Sequence, residues 1–233
     1  MNFEIHRLFE TASTNDDAKL AAEAGAVEGA VFWALRQSAG RGRRGRQWVS
    51  PEGNLYCSVL LRPKLAPKNY GHYSFVAALA LADVVRAALP SALVELKWPN
   101  DVLVNGKKIS GILLEAGDGY LIIGMGLNVR HYPENPLYPV TSLAAENRPT
   151  PPLDFLLDQL LHALGHWSEI LNTTGFDPIR VAWCAQARKG ALSVRLPDGE
   201  ISGQFQDLDS DGHLGLLLAD GTIRSINTGD VFL

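Results

Sequence analysis

The stretch Gln37-Ser-Ala-Gly-Arg-Gly-Arg-Arg-Gly-Arg46 is closed by Trp48 and preceded by the apolar run Val31 to Leu35. Gly40, Gly42 and Gly45 let the backbone turn closely, and Arg41, Arg43, Arg44 and Arg46 bring guanidinium groups into the same short segment. Together they predict a loop that wraps an anion. The glycine spacing is G-x-G-x-x-G, the dinucleotide fingerprint, but that fingerprint needs a helix after it. Here Arg46-Gln-Trp-Val-Ser-Pro51 carries a proline and leads through Glu52-Gly53-Asn54 into the strand-like run Leu55 to Leu61. The context is strand, loop, strand, which argues against a Rossmann fold. The plain alternative is a solvated charged loop. Against it, arginines with no interspersed acid repel one another unless a polyanion or distant acids compensate them.

The chain of 233 residues allows one large domain, or a medium one with a small appendage. Hydrophobic content of 46% is ample for a core. A net charge of -4 argues against generic DNA or RNA binding, which normally goes with a basic excess; the arginine loop is a local exception. Cys57 and Cys184 lie far apart without metal spacing, so a reducing compartment fits and a disulfide framework does not. Met1-Asn-Phe-Glu-Ile5 does not read as a signal peptide, and no run reaches about 18 apolar residues, so the sequence predicts a cytoplasmic protein with no membrane span.

Outward from the loop, Phe3 to Phe9 reads as an edge strand. Ser13-Thr14-Asn15-Asp16-Asp17 has capping-box spacing before an alanine-rich helix ending near Gly25. Those polar residues either only cap the helix or also face a pocket, since a helix N-terminus offers donors to a ligand. Val31 to Leu35 and Leu55 to Leu61 read as buried strands, and Tyr73 to Leu89 as a long apolar helix stopped by Pro90. Val94 to Leu96 runs into Lys97-Trp-Pro-Asn-Asp101, where Pro99 disfavours helix. Val102 to Val104, Asn105-Gly106 and Lys107-Lys108-Ile109 read as a hairpin that returns Lys108 towards Asp101. Beyond Ile112 to Ala116, Gly117-Asp-Gly119 turns into Tyr120 to Ile123. Gly124, Gly126 and Asn128 then suit either backbone against a ligand or a bulge.

His131 to Pro152 is proline-rich with one short helix at Ser142 to Glu146, followed by helices at Leu153 to Leu171 and Phe176 to Ala185. Asp158, His162 and His166 could form a zinc stripe, but no further ligand cluster supports it and surface histidines are preferred. From Arg188 the composition changes. Leu192 to Leu196, Ile201 to Asp207, Leu214 to Leu218 and Thr222 to Ile226 read as short strands separated by Pro197-Asp-Gly199, Ser210-Asp-Gly212 and Asp220-Gly221. The chain thus divides into 1–187 and a small all-β domain at 188–233, which should pack on the larger one.

The arginine loop with Asn100, Asp101 and Lys108 has the chemistry for phosphates or a carboxylate, with Asp101 suited to Mg²⁺ carried by a nucleotide. Neither a P-loop nor a G-x-S-x-G elbow is present. Ser13-Thr14-Asn15, the stretch Gln37 to Trp48, Lys97 to Asp101, Lys108-Ile-Ser-Gly111 with Glu115, and Gly124-x-Gly-x-Asn128 resemble, in order, the motifs of biotin protein ligases. The resemblance covers essentially the whole chain. It implies an α+β fold: a mixed sheet backed by helices, similar to class II aminoacyl-tRNA synthetases and lipoate ligases, followed by a small SH3-like β domain. The activity it implies is formation of biotinyl-5′-AMP and pyrophosphate from biotin and ATP with Mg²⁺. Biotin then passes to a lysine of an acceptor such as the biotin carboxyl carrier protein domain of acetyl-CoA carboxylase or a related carboxylase.

Carried over by motif, the biotin site comprises Ser13, Thr14, Gln37, Gly40, Arg41, Lys108, Gly111, Gly124 and Gly126. The ATP site comprises Arg43, Arg46, Trp48, Asn100, Asp101 and Asn128, with Asp101 on the metal; Arg41, Arg43 and Lys108 are the catalytic candidates. Some relatives carry an N-terminal DNA-binding domain, whereas Ser13-Thr14-Asn15 stands almost at the start here, so no specific DNA binding is expected. A monomer or a homodimer fits the family. Two rivals stay open: a lipoate or octanoyl ligase, disfavoured by the polar Ser13, Thr14 and Gln37, and a non-catalytic sensor, disfavoured by Asn100, Asp101 and Lys108. The loop Gly40 to Gly45 is expected to be mobile without ligand and ordered with biotinyl-AMP.

Overall fold

The computed structural model describes residues 1–134, 136, 138–146, 149–196 and 199–232. The chain begins β1 (Glu4–Thr11), α1 (Thr14–Glu23), β2 (Ala30–Gln37), β3 (Leu55–Leu61), α2 (His72–Ala88) and β4 (Val94–Lys97). It continues with β5 (Asp101–Val104), β6 (Lys107–Gly117), β7 (Tyr120–Leu127), α3 (Leu143–Glu146), α4 (Leu153–Thr174) and α5 (Phe176–Ala185). The last strands are β8 (Ala191–Leu196), β9 (Gly199–Leu208), β10 (Leu214–Leu217), β11 (Ile223–Ile226) and β12 (Asp230–Phe232).

The first seven strands form a mixed sheet in the order β1-β2-β3-β7-β6-β5-β4, in which β1 runs parallel to β2 and the other neighbours are antiparallel. The last five form a separate antiparallel sheet, β11-β10-β9-β8-β12. The α+β fold read from the sequence is therefore the fold observed.

Alternation along the strands gives the main sheet two unlike faces. Leu55, Cys57, Val59 and Leu61 of β3 and Leu121, Ile123, Met125 and Leu127 of β7 join the core under α2, α4 and α5. Each aliphatic side chain so buried contributes about 1.5–3 kcal/mol. Helix α2 is apolar on nearly all sides because it lies between the sheet and α4. On the opposite face Leu60, Tyr120 and Ile122 pack on Ala18 and Ala22 of α1. That helix covers part of the face, and Tyr56, Gly124 and Gly126 line a cleft beside its N-terminus. Trp183 of α5 stacks edge-on against Phe75 and lies 6.0 Å from Phe205, so one core runs through both sheets. No helix among the described residues is long and apolar enough to cross a membrane.

Several expectations need correction. Ser13 is the N-cap of α1, yet it makes no side-chain cap hydrogen bond, so the capping box does not form. β6 and β7 extend through the glycines, which lie within the ladder. A fifth strand, β12, was missing from the small domain because three residues carry no periodic signal. In the turn Pro197-Asp-Gly199, Pro197 and Asp198 lie outside the described residues. The Asn105-Gly106 turn is present, with φ of 51° and 76°. No gathering of metal-ligating atoms among the described residues includes Asp158, His162 or His166.

Candidate functional site

One wall of the cleft is neutral. Gln37 Oε1 accepts the backbone N–H of Thr14 at 2.9 Å and the Thr14 hydroxyl at 3.2 Å. A strand residue thus satisfies a helix N-terminus that its own cap leaves open. Gln37 Nε2 donates to Ser50 Oγ at 3.0 Å, and that hydroxyl donates to Trp48 O at 2.8 Å. Ser58 Oγ lies 2.7 Å from Thr14 Oγ1 and 2.6 Å from Asn15 Oδ1, while Asn15 Nδ2 donates to Glu115 Oε2. Ser13, Thr14 and Asn15 are buried.

The glycines make room for this wall. A methyl group at Gly124 would lie 2.2 Å from Asn15 Oδ1, and one at Gly126 would lie 2.6 Å from the Trp48 indole. The indole also rests on Gly111. Ligand contact and a bulge were the alternatives here; seating Asn15 and Trp48 within a regular ladder is a further reason the sequence did not reveal. Gly40 allows a different close approach, with a methyl there 2.5 Å from Trp48 O, and it does not line the cleft.

The arginines come from a tight turn at Arg43–Gly45, with Arg44 left-handed at φ 55°. Arg41 pairs with both oxygens of Asp16 at 2.7 and 2.6 Å and lies 3.7 Å from Glu115. The Arg41 hydrogen bond holds the Asp16 carboxyl below the usual carboxylate range. Arg44 and Arg46 both donate to Asp230 of the small domain. Arg43 meets only Asn100 Oδ1 and Gly229 O, each at 3.4 Å, and among the described residues no carboxylate pairs with it. Burial pulls its guanidinium pKa down, with Asp230 opposing. Distant acids therefore compensate three arginines, and Arg43 is left as a desolvated cation lining the cleft.

The other charged wall centres on Asp101. Its Oδ1 lies 2.6 Å from Lys108 Nζ and its Oδ2 2.9 Å from Lys97 Nζ. Burial alone would raise the Asp101 pKa, but the Coulombic pull of Lys108 and then Lys97 leaves it below the usual range. Burial likewise works against the Lys108 ammonium, and Asp101 outweighs it, so the Lys108 pKa is raised. Tyr138 completes the group, its ring 5.3 Å from Lys108 Nζ and 5.4 Å from Lys97 Nζ. Lys108 and Gly111 both line the cleft although three residues apart, an odd spacing that would aim them at opposite faces in a regular strand. A register shift between Val102 and Leu103 restores the phase. Lys107 is exposed and reaches Glu146 instead, as alternation predicts.

With both oxygens held by lysines, Asp101 does not fit a Mg²⁺ ligand in this arrangement, and the one other carboxylate among the described cleft residues, Asp230, is held by arginines. Asn100 Nδ2 donates to Ile112 O at 2.6 Å. Asn128 donates to Thr141 O at 3.0 Å and lines a second cavity with Arg46, Trp48, Lys108 and Tyr138. The two cavities share those four residues and Gln47 as a partition, and among the described residues the buried Trp48 Nε1 has no hydrogen-bond partner. Apart from Gly40 and Asn128, every site residue named from the sequence lines the first cleft. Tyr138, Ser58 and Asp230 were missed, since each is an isolated side chain without motif context.

Residues 11–128 match the Biotin/lipoate A/B protein ligase family, and residues 193–233 match the Biotin protein ligase C terminal domain. A biotin--[acetyl-CoA-carboxylase] ligase of Paracoccus denitrificans is 40% identical over 89% of this chain and 91% of its own length. The corresponding ligase of Mycobacterium tuberculosis is 35% identical over 95% of this chain and 86% of its own. The Aquifex aeolicus biotin protein ligase in complex with biotin and ATP superposes with a TM-score of 0.87 at 29% identity, covering 98% of this chain and 97% of that one.

Proposed function

The chain belongs to the biotin protein ligase family, and from that premise we propose how its cleft divides the work on two substrates. The protein is an ATP- and biotin-dependent ligase that forms biotinyl-AMP and transfers biotin to an acceptor lysine. The observation that carries the assignment is Lys108, a buried ammonium at the partition between the two cavities. An oxygen of the biotin carboxylate attacks the α-phosphorus of ATP and pyrophosphate leaves. The acceptor amine then attacks the activated carbonyl and AMP leaves.

Ser13, Thr14 and Gln37 would bind the ureido head, because hydroxyl and amide groups supply both donors and acceptors. Gly111, Gly124 and Gly126 shape that side, Gly40 holds its loop, and Arg41 borders it. Lys108 would meet the biotin carboxylate and then the charge growing on the α-phosphate. Arg43, Arg46 and Asn100 suit the triphosphate, and Trp48 and Asn128 suit the adenosine in the second cavity. Mg²⁺ arriving on ATP would neutralise phosphate charge. Asp101 is better read as the counter-ion that holds Lys97 and Lys108 in place than as a metal ligand. Residues 1–187 would carry the chemistry, and 188–233 would close one side of the phosphate wall. The acceptor would be a biotin carboxyl carrier domain.

Incubation with ATP, Mg²⁺ and either biotin or lipoate, followed by addition of a carrier domain, tests the reading. Pyrophosphate release and carrier labelling with biotin alone are expected. Lipoyl-adenylate formation, or no adenylate at all, would overturn it.

A further inference from the structure

The consecutive residues Gly229, Asp230 and Val231 receive cations from four positions of the larger domain. Asp230 Oδ2 accepts from Arg44 Nη1 at 3.1 Å and its Oδ1 accepts from Arg46 Nη2. Gly229 O accepts from Arg43 at 3.4 Å, and Val231 O accepts from Lys97 Nζ at 3.2 Å. Asp230 lines the cleft, so these contacts stand at the ligand's edge. The Asp230 side chain is 16% exposed, whereas those of Arg44 and Arg46 are 37% and 38% exposed. The carboxylate is drawn in while both guanidiniums keep an open side. It sits on β12, a three-residue edge strand paired with β8 alone, an element that shifts at little expense in free energy.

Resting on the nucleotide assignment above, we propose that Asp230 is a positioning residue that competes with the phosphates of ATP for Arg46, the arginine partner of Asp230 that itself lines the cleft. It holds the arginine turn through Arg44 and Arg46 while no phosphate is bound, yields Arg46 to the triphosphate, and retakes it as pyrophosphate leaves. A triphosphate carries more charge and more acceptor oxygens than one carboxylate, so it wins the exchange. The displaced carboxylate still repels it across a few ångströms, an opposition that exposure and physiological salt weaken without removing. The carbonyl contacts of Gly229 and Val231 are neutral and oppose nothing.

Binding of ATP and of inorganic pyrophosphate to Asp230→Asn and Asp230→Glu decides the matter. The asparagine variant is expected to bind both about threefold to tenfold tighter. Its biotin affinity should be unchanged, and its KM for ATP and its kcat should fall together as pyrophosphate departs more slowly. Asp230→Glu should restore the original values. A clamp with a merely structural role gives the opposite sign, so weaker or unchanged binding in Asp230→Asn overturns the proposal. In the unaltered protein, amide exchange at 229–232 should rise when pyrophosphate is added, and equal protection overturns it without any variant. Failure of the unaltered protein to bind ATP sinks the nucleotide assignment as well; failure in the variant alone sinks only the role of Asp230.

Discussion

The wall around Thr14 and Gln37 and the wall around Arg43, Arg46 and Lys108 face one cleft but are built on different principles. In the first, neutral donors and acceptors from α1, β2 and β3 satisfy one another at 2.6–3.2 Å within a single domain. In the second, Lys108 and Arg46 are held by Asp101 and Asp230, with Asp230 coming from the other sheet. A neutral network is ready for a neutral head group at no electrostatic expense. A cationic one stays folded only with internal counter-ions, and its ligand must replace or outbid them.

The largest expected break in this contrast is Asp101→Asn, which leaves Lys97 and Lys108 buried without their counter-ion. Loss of a buried partner of this kind costs about 3–5 kcal/mol. Because the folded pKa of Asp101 is depressed, its contribution is present above the unfolded value near 3.8 and is lost as pH falls through the folded one. Urea unfolding should therefore show a wide gap between variant and parent at pH 7 that closes on acidification below about pH 4. A gap that is absent at pH 7, or independent of pH, would contradict the pairing.

Next in size is Lys108→Ala. At saturating biotin and ATP, pyrophosphate release before acceptor addition should slow at least about tenfold, roughly 1.4 kcal/mol. Unchanged rates would remove Lys108 from the chemical step.

Gln37→Ala attacks the other wall, stranding the Thr14 N–H. Biotin should bind about fivefold more weakly, near 1 kcal/mol, with ATP affinity intact. A parallel loss for ATP would show that the two walls are not independent. The smallest effect belongs to Lys107→Ala, whose side chain reaches exposed solvent and Glu146. Adenylation within about twofold of the parent is expected, because exposed pairs contribute about 0–1 kcal/mol.

Elements with local causes were legible. Leu55–Leu61 and Phe176–Ala185 begin and end where their residue patterns place them, and Asn105-Gly106 turns as a left-handed pair. The same locality explains the misread cap. Ser13 and Asp16 have capping-box spacing, but Arg41 takes the Asp16 carboxylate from 25 residues away, and the Asp16 N–H goes to the backbone oxygen of Ser13 rather than to its hydroxyl.

By itself, then, the sequence determined the order of elements, the strand-loop-strand setting of the arginines and the return of Lys108 to Asp101, because period, turn chemistry and hairpin geometry act over a few residues. Only the tertiary structure decided which acid compensates which arginine, why Gly124 and Gly126 must lack side chains, and that Asp230 reaches the cleft. Those outcomes depend on distances between segments up to 186 residues apart, and a Coulomb or steric contact is set by separation in space rather than along the chain.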